Sequence, residues 1–261
     1  MKIFIISMDD PIQTNQFIKK ILDVRKKDII GLAVSKGDRL RIGEKRSKVI
    51  YVFSLLLIMG FPMFIKDSVI TVLFKLRKKL AKSGIGKNPS ILSYAQNLGI
   101  RTFEINTPNS RSFREELSAL EPDIIINQSQ SLIKKELLDI PSIGIINRHN
   151  ALLPHNRGRL SPFWVAYRKE KQTGVSIHFL DEGIDSGDII VQERIEVLEK
   201  DTFNSIVKKN YSIASGAMLK ALEILEKGNY KLIPNEDEKA TYNSVPTFKE
   251  ALIYRLNRMR W

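Results

Sequence analysis

Residues 123–147 read DIIINQSQSLIKKELLDIPSIGIIN. Two short apolar runs, at 123–128 and 144–147, have the length and the branched side chains of buried strands. The segment 131–138 between them is predicted to be a short helix. A strand, a helix and a second strand in this order predict a βαβ unit, in which a right-handed connection makes the two strands parallel.

The same alternation extends towards the amino terminus. Predicted strands lie at 2–7, 28–34 and 101–105, and predicted helices at 12–26, 90–98 and 113–120. An alternation of this kind predicts an α/β fold with a mostly parallel sheet.

The pattern changes in the C-terminal third of the chain. Residues 173–180 and 188–197 are rich in β-branched side chains and are joined by a glycine-containing link, so we expect a late antiparallel pair. A long helix is predicted at 203–227, with Asp201 as its N-cap. The sequence T-x-x-E at 247–250 predicts the start of a last helix.

Residues 35–82 interrupt the alternation and are predicted to be a helical insertion, apolar and basic. Seventeen residues, 49–65, carry no charge, and residues 70–80 mix apolar side chains with lysine and arginine. One interpretation is two helices that pack on the protein's own core or form a homo-oligomer contact. The other is a helix pair, within 49–82, that lies on an anionic membrane surface. Because no signal peptide is recognisable, we expect a cytoplasmic protein, peripheral at the inner face of the membrane under the second interpretation.

The composition excludes several classes of protein. The chain has 261 residues, of which 43% are hydrophobic, so it is not intrinsically disordered. It has no cysteine, which excludes disulfide scaffolds, thiolate nucleophiles and cysteine-ligated metals. The three histidines lack zinc-site spacing, so we expect no metal. The formal net charge of +13 favours anionic partners.

Three polar side chains carry the chemistry that we expect. Asn147 and His149 follow a predicted parallel strand, at the edge where α/β proteins bind ligands. They are two residues apart, so strand alternation directs them to the same side. Asp185 lies 36 residues after His149, in the link between the two late strands. Such a trio suits acyl transfer to an amine, because the amide and the imidazole can donate to an oxyanion and the imidazole or carboxylate can take up the amine proton.

The segments around these residues resemble a known family. N-x-H followed by LLP and RG, then TGV-x-I-H and DEGIDSGDI, is similar to the formyltransferases that use 10-formyltetrahydrofolate. The resemblance implies a Rossmann-like formyltransferase fold and catalytic roles for Asn147, His149 and Asp185. It implies a catalytic domain at 1–230, which contains the insertion, and a short C-terminal extension at 231–261. We interpret His178, on an alternating strand, as a structural histidine.

The resemblance also implies where the substrates bind. The pterin of the folate is expected to lie against two backbone stretches, through Gln128, Ser129, Ser131, Leu132, Ile133, Leu180, Asp181 and Gly183. The acceptor amine is expected to enter from the other side, near Asn147, Asn150 and Arg157. Arg157 has two possible roles, since it can bind an acceptor phosphate or hold its own loop in place.

The expected function is formyl transfer to a primary amine, an amino sugar of a nucleotide-linked sugar in surface-glycan biosynthesis. The alternatives are a lipid-linked amino sugar, methionyl-tRNA, hydrolysis of formyltetrahydrofolate, and a non-catalytic membrane-associated relative. The loop at 8–11 reads MDDP and lacks the glycine-rich phosphate loop of glycinamide ribonucleotide formyltransferase. The 33 residues after Gly228 are expected to be too few for a tRNA-binding domain.

Overall fold

A computed structural model describes residues 1–36 and 47–259. Residues 37–46, within the predicted insertion, and residues 260–261, at the end of the predicted extension, lie outside the described residues. The strands are β1 (Ile3–Ser7), β2 (Ile29–Ser35), β3 (Thr102–Ile105), β4 (Ile124–Gln128), β5 (Gly144–His149), β6 (Arg157–Gly158), β7 (Gln172–Phe179), β8 (Ile189–Glu196) and β9 (Tyr242–Asn243). The helices are α1 (Thr14–Arg25), α2 (Lys48–Met59), α3 (Phe61–Lys82), α4 (Ile91–Asn97), α5 (Arg111–Ser118), α6 (Lys135–Leu138), α7 (Ser161–Arg168), α8 (Phe203–Glu226) and α9 (Phe248–Met259).

Seven strands form one sheet in the order β3-β2-β1-β4-β5-β7-β8. Neighbours from β3 to β5 are parallel, while β7 runs antiparallel to both β5 and β8. The predicted α/β fold, with a mostly parallel sheet and a late antiparallel pair, is confirmed. Asn127 of β4 lies opposite Asn147 of β5, so the carboxyl ends of these central strands meet at one edge of the sheet.

Both faces of the sheet are covered, as a parallel sheet requires. Alternate residues of β1 point to opposite faces. Ile3 and Ile5 pack with apolar residues of α1, α4 and α8, whereas Phe4 and Ile6 pack with apolar residues of α5 and α6. Each fully buried side chain of this size contributes about 2 kcal/mol of transfer free energy, so the two apolar layers stabilise the sheet that positions the edge loops.

The predicted insertion forms two helices, α2 and α3. They are separated by Gly60, whose φ of +80° lies in the left-handed region that favours glycine. Pro62 follows in the first turn of α3, where a missing N–H costs no helical hydrogen bond. One side of α2 packs on the protein's own core, with Ile58 in a cluster that includes Phe163 of α7 and Phe203 of α8. Across the described part of the chain, no helix combines the length and apolar character needed to cross a membrane.

The C-terminal segment lies against the loop that follows β5. Strand β9 pairs in parallel with β6, which places Asn243 opposite Gly158; the sequence did not predict this pairing. The capping box of the last helix is confirmed, since Thr247 N–H donates to Glu250 Oε2 (2.7 Å) and Glu250 N–H donates to Thr247 Oγ1 (3.2 Å). Helix α9 then packs against α2.

The N-cap of α8 differs from the prediction. Thr202 caps the helix: its hydroxyl accepts from Ser205 N–H (3.2 Å), and Ser205 Oγ accepts from Thr202 N–H (2.8 Å). Asp201, the predicted cap, instead accepts from Leu198 N–H (2.8 Å) and closes the preceding turn. The prediction was wrong by one residue, because aspartate and threonine are both good caps and only the local turn selects between them.

Two glycines provide a matched test of the fold. A Cβ on Gly174 would lie 2.0 Å from the Glu193 carbonyl oxygen across the β7–β8 ladder, whereas a Cβ on Gly216, in α8, meets nothing within 4 Å. We expect Gly174→Ala to lower the free energy of unfolding by about 2 kcal/mol or more. Gly216→Ala should raise it by about 0.5–1 kcal/mol, because alanine loses less backbone entropy in a helix. Urea unfolding measures both; equal stabilities would contradict the described β7–β8 spacing.

Candidate functional site

The candidate site lies where β5 ends and the β7–β8 link returns beside it. Asn147 lies opposite His178 in the antiparallel β5–β7 register, and His149 lies opposite Ser176. Residues two apart on one strand and directly opposite on its neighbour share a face. Asn147, His149 and His178 therefore lie on one face of the sheet, and the His149 and His178 rings are 6.4 Å apart between centroids.

Asp185 reaches this face from the β7–β8 link. Its φ of +51° is in the left-handed region, which aspartate tolerates better than most residues. The Gly158 N–H donates to its Oδ2 atom (2.8 Å). His149 Nδ1 lies 3.3 Å from the same oxygen, and His178 Nε2 lies 3.6 Å from Oδ1. The structure thus brings the predicted imidazole and carboxylate together, and His178 joins them.

The hydrogen bonds of His149 determine its tautomer. Its Nε2 atom lies 2.8 Å from the Asn156 carbonyl oxygen and 3.1 Å from Ser161 Oγ. The carbonyl can only accept, and Ser161 donates its own proton to that carbonyl (3.0 Å). Nε2 therefore carries a proton, and Nδ1 is the nitrogen that faces Asp185. The side chain of His149 is buried, so the ring is held in this orientation.

The alternating strand pattern indicated a structural role for His178 and did not reveal its contact with Asp185. The cross-strand register that places it opposite Asn147 depends on which strands pair, which the local pattern does not specify. His178 is fully buried, and its Nδ1 lies 2.7 Å from the Phe179 carbonyl oxygen. Burial lowers the pKa of His178 to about 4, although the Asp185 carboxylate opposes this shift. The ring is consequently neutral at neutral pH.

The Asp185 carboxyl group is ionised at neutral pH. Burial acts to raise its pKa, but the nearby imidazoles of His149 and His178 and the Gly158 N–H act in the opposite direction. The net result is a pKa below the ordinary aspartate value.

A second network orients the Asn147 amide. Gln128 Nε2 donates to Asn147 Oδ1 (2.9 Å) and to the Asn127 carbonyl (2.7 Å). Arg148 Nε donates to Gln128 Oε1 (3.1 Å), so the amide of Gln128 has one orientation. Because Oδ1 of Asn147 accepts here, its Nδ2 donor faces away from Gln128.

The Arg148 guanidinium that anchors this network is itself held by aromatic rings. It lies 4.9 Å from the Phe17 ring centroid and 4.3 Å from that of Tyr211. Arg148 also donates to Tyr211 Oη (3.0 Å) and to Asn150 Oδ1. The sequence did not predict this network. Arg148 points to the face of β5 opposite Asn147, and partners such as Phe17 and Tyr211 come from distant parts of the chain.

The predicted folate-binding residues lie in two neighbouring loops. One follows β4 and contains Ser129, Ser131, Leu132 and Ile133, with Gln128 at the strand end; the other follows β7 and contains Leu180, Asp181 and Gly183. Ile133 and Leu180 pack on the same apolar cluster, and Asp181 Oδ1 accepts from Gly183 N–H (2.9 Å). The Gln128 side chain is directed to Asn147 as described above.

The two predicted acceptor residues are engaged within the protein. Arg157 is 0% exposed and donates to Asp237 Oδ1 (2.6 Å), Tyr242 Oη (2.7 Å) and Asn235 Oδ1 (2.8 Å). It holds its own loop against the C-terminal segment and offers no surface to an acceptor phosphate in this structure. Asn150 is half-buried, and its side-chain oxygen accepts from Arg148.

Fold and site together define an α/β protein with an amide, an imidazole and a carboxylate at the carboxyl edge of a mostly parallel sheet. The chain matches the formyl transferase family over residues 70–222, more than half of its length, and it belongs to that family.

Individual relatives and solved structures agree with this assignment. The chain is 34% identical over 160 residues to a methionyl-tRNA formyltransferase of Kosmotoga olearia. The aligned residues make up 61% of this chain and 51% of the relative. It thus spans about half the length of that curated relative. Glycinamide ribonucleotide transformylase 1 from Symbiobacterium toebii superposes with a TM-score of 0.62 at 16% identity, over 90% of this chain and 95% of the other.

A further solved structure carries ligands. It is an N-formyltransferase from Helicobacter canadensis in complex with folinic acid and dTDP-3-aminofucose, with a TM-score of 0.60 at 17% identity, over 94% of this chain and 71% of the other. At such low identities these likenesses establish the fold, and the predicted Rossmann-like formyltransferase fold is confirmed.

The depressed pKa of His178 predicts a pH dependence of stability. The unfolded chain protonates this residue near pH 6.5, whereas the folded chain does so near pH 4. Between these values the unfolded state binds more protons, so stability falls as pH falls. The loss attributable to His178 between pH 6.5 and pH 5 should be about 1.5 kcal/mol. Urea unfolding of wild type and His178→Asn at several pH values measures this loss. The free energy of unfolding of the variant should fall less between pH 6.5 and pH 5 than that of the wild type. Equal falls would contradict the lowered pKa of His178.

Proposed function

We propose that this chain is an N-formyltransferase, which moves the formyl group of 10-formyltetrahydrofolate to a primary amine. The observation that carries the proposal is the contact of His149 Nδ1 with Asp185 Oδ2 at 3.3 Å, on the sheet face that also holds Asn147. Membership of the formyl transferase family supports it. The folate supplies the formyl group, and the chain supplies donors and a proton acceptor around it.

Asn147 is the proposed donor to the formyl oxygen, which becomes negative as the amine attacks. Its Oδ1 accepts from Gln128, so its Nδ2 is the atom available to donate. A donor that is oriented before the reaction stabilises the developing charge without reorganisation. The Arg148–Gln128 network is therefore a positioning device for Asn147.

His149 and Asp185 form the proposed proton acceptor. The attacking amine must lose a proton, and its proposed destination is the edge shared by Asp185 Oδ2 and His149 Nδ1, which lie 3.3 Å apart. Asp185 is ionised, so its carboxylate can take up the proton, and His149 holds that carboxylate in place. The sequence assigned His149 to the oxyanion as well; the hydrogen bond of Nε2 to the Asn156 carbonyl favours the role beside Asp185.

The two loops after β4 and β7 are the proposed site of the pterin. Leu132 and Ile184 expose apolar side chains there, although most apolar residues of the sheet are buried. Lys135 at the start of α6 lies 3.8 Å from Glu182, which places the two loops side by side. Backbone groups and apolar side chains on both loops suit a flat heterocycle with a polar edge.

For the acceptor we propose an amino sugar carried by a nucleotide diphosphate, with the cytoplasmic location expected from the sequence. The Helicobacter canadensis structure contains such a ligand, and a net charge of +13 favours a diphosphate. Methionyl-tRNA is a second candidate, favoured by the curated relative. A lipid-linked amino sugar is a third, favoured by the exposed apolar helix α3 described below.

The test is formyl transfer from 10-formyltetrahydrofolate to a panel of nucleotide-linked amino sugars, with methionyl-tRNA in a parallel reaction and with formate release measured without amine. We expect one amino sugar to gain one formyl unit by mass spectrometry. His149→Ala should lower the rate by about a hundredfold or more, whereas His155→Ala, at an exposed histidine of the same loop, serves as the matched control.

Three results would overturn parts of this proposal. Equal rates for wild type and His149→Ala would refute the assigned proton acceptor. Transfer to methionyl-tRNA alone would refute the sugar acceptor. Formate release without any transfer would indicate a hydrolase.

The positioning role of Gln128 gives a separate prediction. Gln128→Met keeps the side-chain volume but cannot donate to Asn147, so kcat should fall about tenfold or more while the KM for folate changes little. Gln96→Met, which loses one hydrogen bond to Thr102 on the surface, is the matched control. An unchanged kcat in Gln128→Met would show that Asn147 is oriented without this network.

A further inference from the structure

Helix α3 carries a continuous apolar stripe on its solvent side. The stripe consists of Phe61, Ile65, Val69, Val72, Leu73, Leu76 and Leu80, each between 38% and 68% exposed. Successive members are mostly three or four residues apart, the spacing of one helix face. From Phe61 to Leu80 the stripe is about 29 Å long, at 1.5 Å per residue.

The stripe does not contribute to the protein's own core. No residue of α3 is buried, whereas its neighbour α2 buries Ile58 against α7 and α8. The half-buried side of α3 includes Phe74 and Lys78, and Lys78 pairs with Asp9. The helix is therefore held on the protein by its opposite side, and the apolar stripe points outward.

Cationic side chains border the stripe on both sides. On a helical wheel, Lys66 and Arg77 lie along one margin and Lys75 and Lys79 along the other, and all four are exposed. Asp67, on the half-buried side, is the single acidic residue of α3. Long basic side chains beside an apolar stripe can reach a lipid phosphate while the stripe enters the acyl region.

The same charges argue against a second copy of the chain as the occupant. A two-fold contact through this face would bring the basic margins of one α3 against those of the other. Like charges at a desolvated contact are unfavourable. An anionic lipid surface supplies the complementary charge, and each lysine near such a surface contributes favourably.

We propose that α3 docks the protein on an anionic lipid bilayer, with the helix lying in the plane of the interface. Asp9, the partner of Lys78, follows β1 at the carboxyl edge of the sheet, the edge that carries the candidate site. Docking through α3 therefore brings that edge to the membrane. This inference concerns binding alone and stands independently of the acceptor.

The test is flotation of the full chain with vesicles of phosphatidylcholine and phosphatidylglycerol, compared with vesicles of phosphatidylcholine alone, in the absence of folate and acceptor. We expect flotation with the anionic vesicles and little with the neutral ones. The triple variant Lys66→Glu, Lys75→Glu and Lys79→Glu, at three lysines of the margins, should bind at least about tenfold more weakly. The matched triple Lys26→Glu, Lys27→Glu and Lys227→Glu changes the net charge equally at exposed positions outside α3, and it should retain most of the binding.

A second pair of variants tests the apolar stripe. Val72→Ser with Leu76→Ser should weaken flotation about tenfold, whereas Val24→Ser with Ile233→Ser, at apolar residues of similar exposure elsewhere, should not. Absence of flotation by the wild type would overturn the proposal, as would equal binding by the two lysine triples. So would a concentration-dependent dimer in sedimentation that the Val72 and Leu76 changes abolish, because the face would then be a self-contact. Vesicle binding without formyl transfer would leave this proposal supported and refute the proposed function alone.

Discussion

The Asp185 carboxylate is contacted by groups from three separate segments of the chain. The Gly158 N–H comes from β6, His149 from the end of β5, and His178 from β7. Each contact restrains a different element, so together they fix the positions of the β7–β8 link, β6 and the sheet edge relative to one another. The left-handed backbone of Asp185 is retained because these contacts outweigh its modest cost.

The sheet, and the placement of Asn147 and His149 on one of its faces, could be predicted from the sequence for clear physical reasons. Branched apolar runs such as 123–128 specify buried strands, and the period of two places Asn147 and His149 on one side. Glycine-containing links between β-rich segments predicted the antiparallel pair. These signals are local, and they survive folding because burial of the same side chains stabilises the same elements.

The remaining features depend on contacts between distant segments. His178 joins the site through the β5–β7 register, and Arg157 is buried because Asn235, Asp237 and Tyr242 return to it from the C-terminal segment. The residues next to Arg157 in the sequence do not reveal that these three distant residues accept its hydrogen bonds. The pairing of β6 with β9 is only two residues long, too short to leave a pattern.

The surface that helix α3 contacts could also not be predicted from the sequence alone. Its amphipathic pattern was visible, but a stripe of apolar residues has the same spacing whether it faces a core, a second chain or a lipid surface. The structure separates the first case from the other two, because no residue of α3 is buried and the stripe is exposed on the side away from the protein.

The central claim is that Asn147, His149 and Asp185 surround the formyl carbon, and the most direct measurement is a crystal structure of the chain with folinic acid bound. The account predicts that the pterin lies against residues 129–133 and 180–183. It also predicts that Asn147 Nδ2 and the His149–Asp185 pair face the formyl group of the bound folinic acid. A pterin bound elsewhere, or Asn147 turned so that Oδ1 faces the folate, would contradict it.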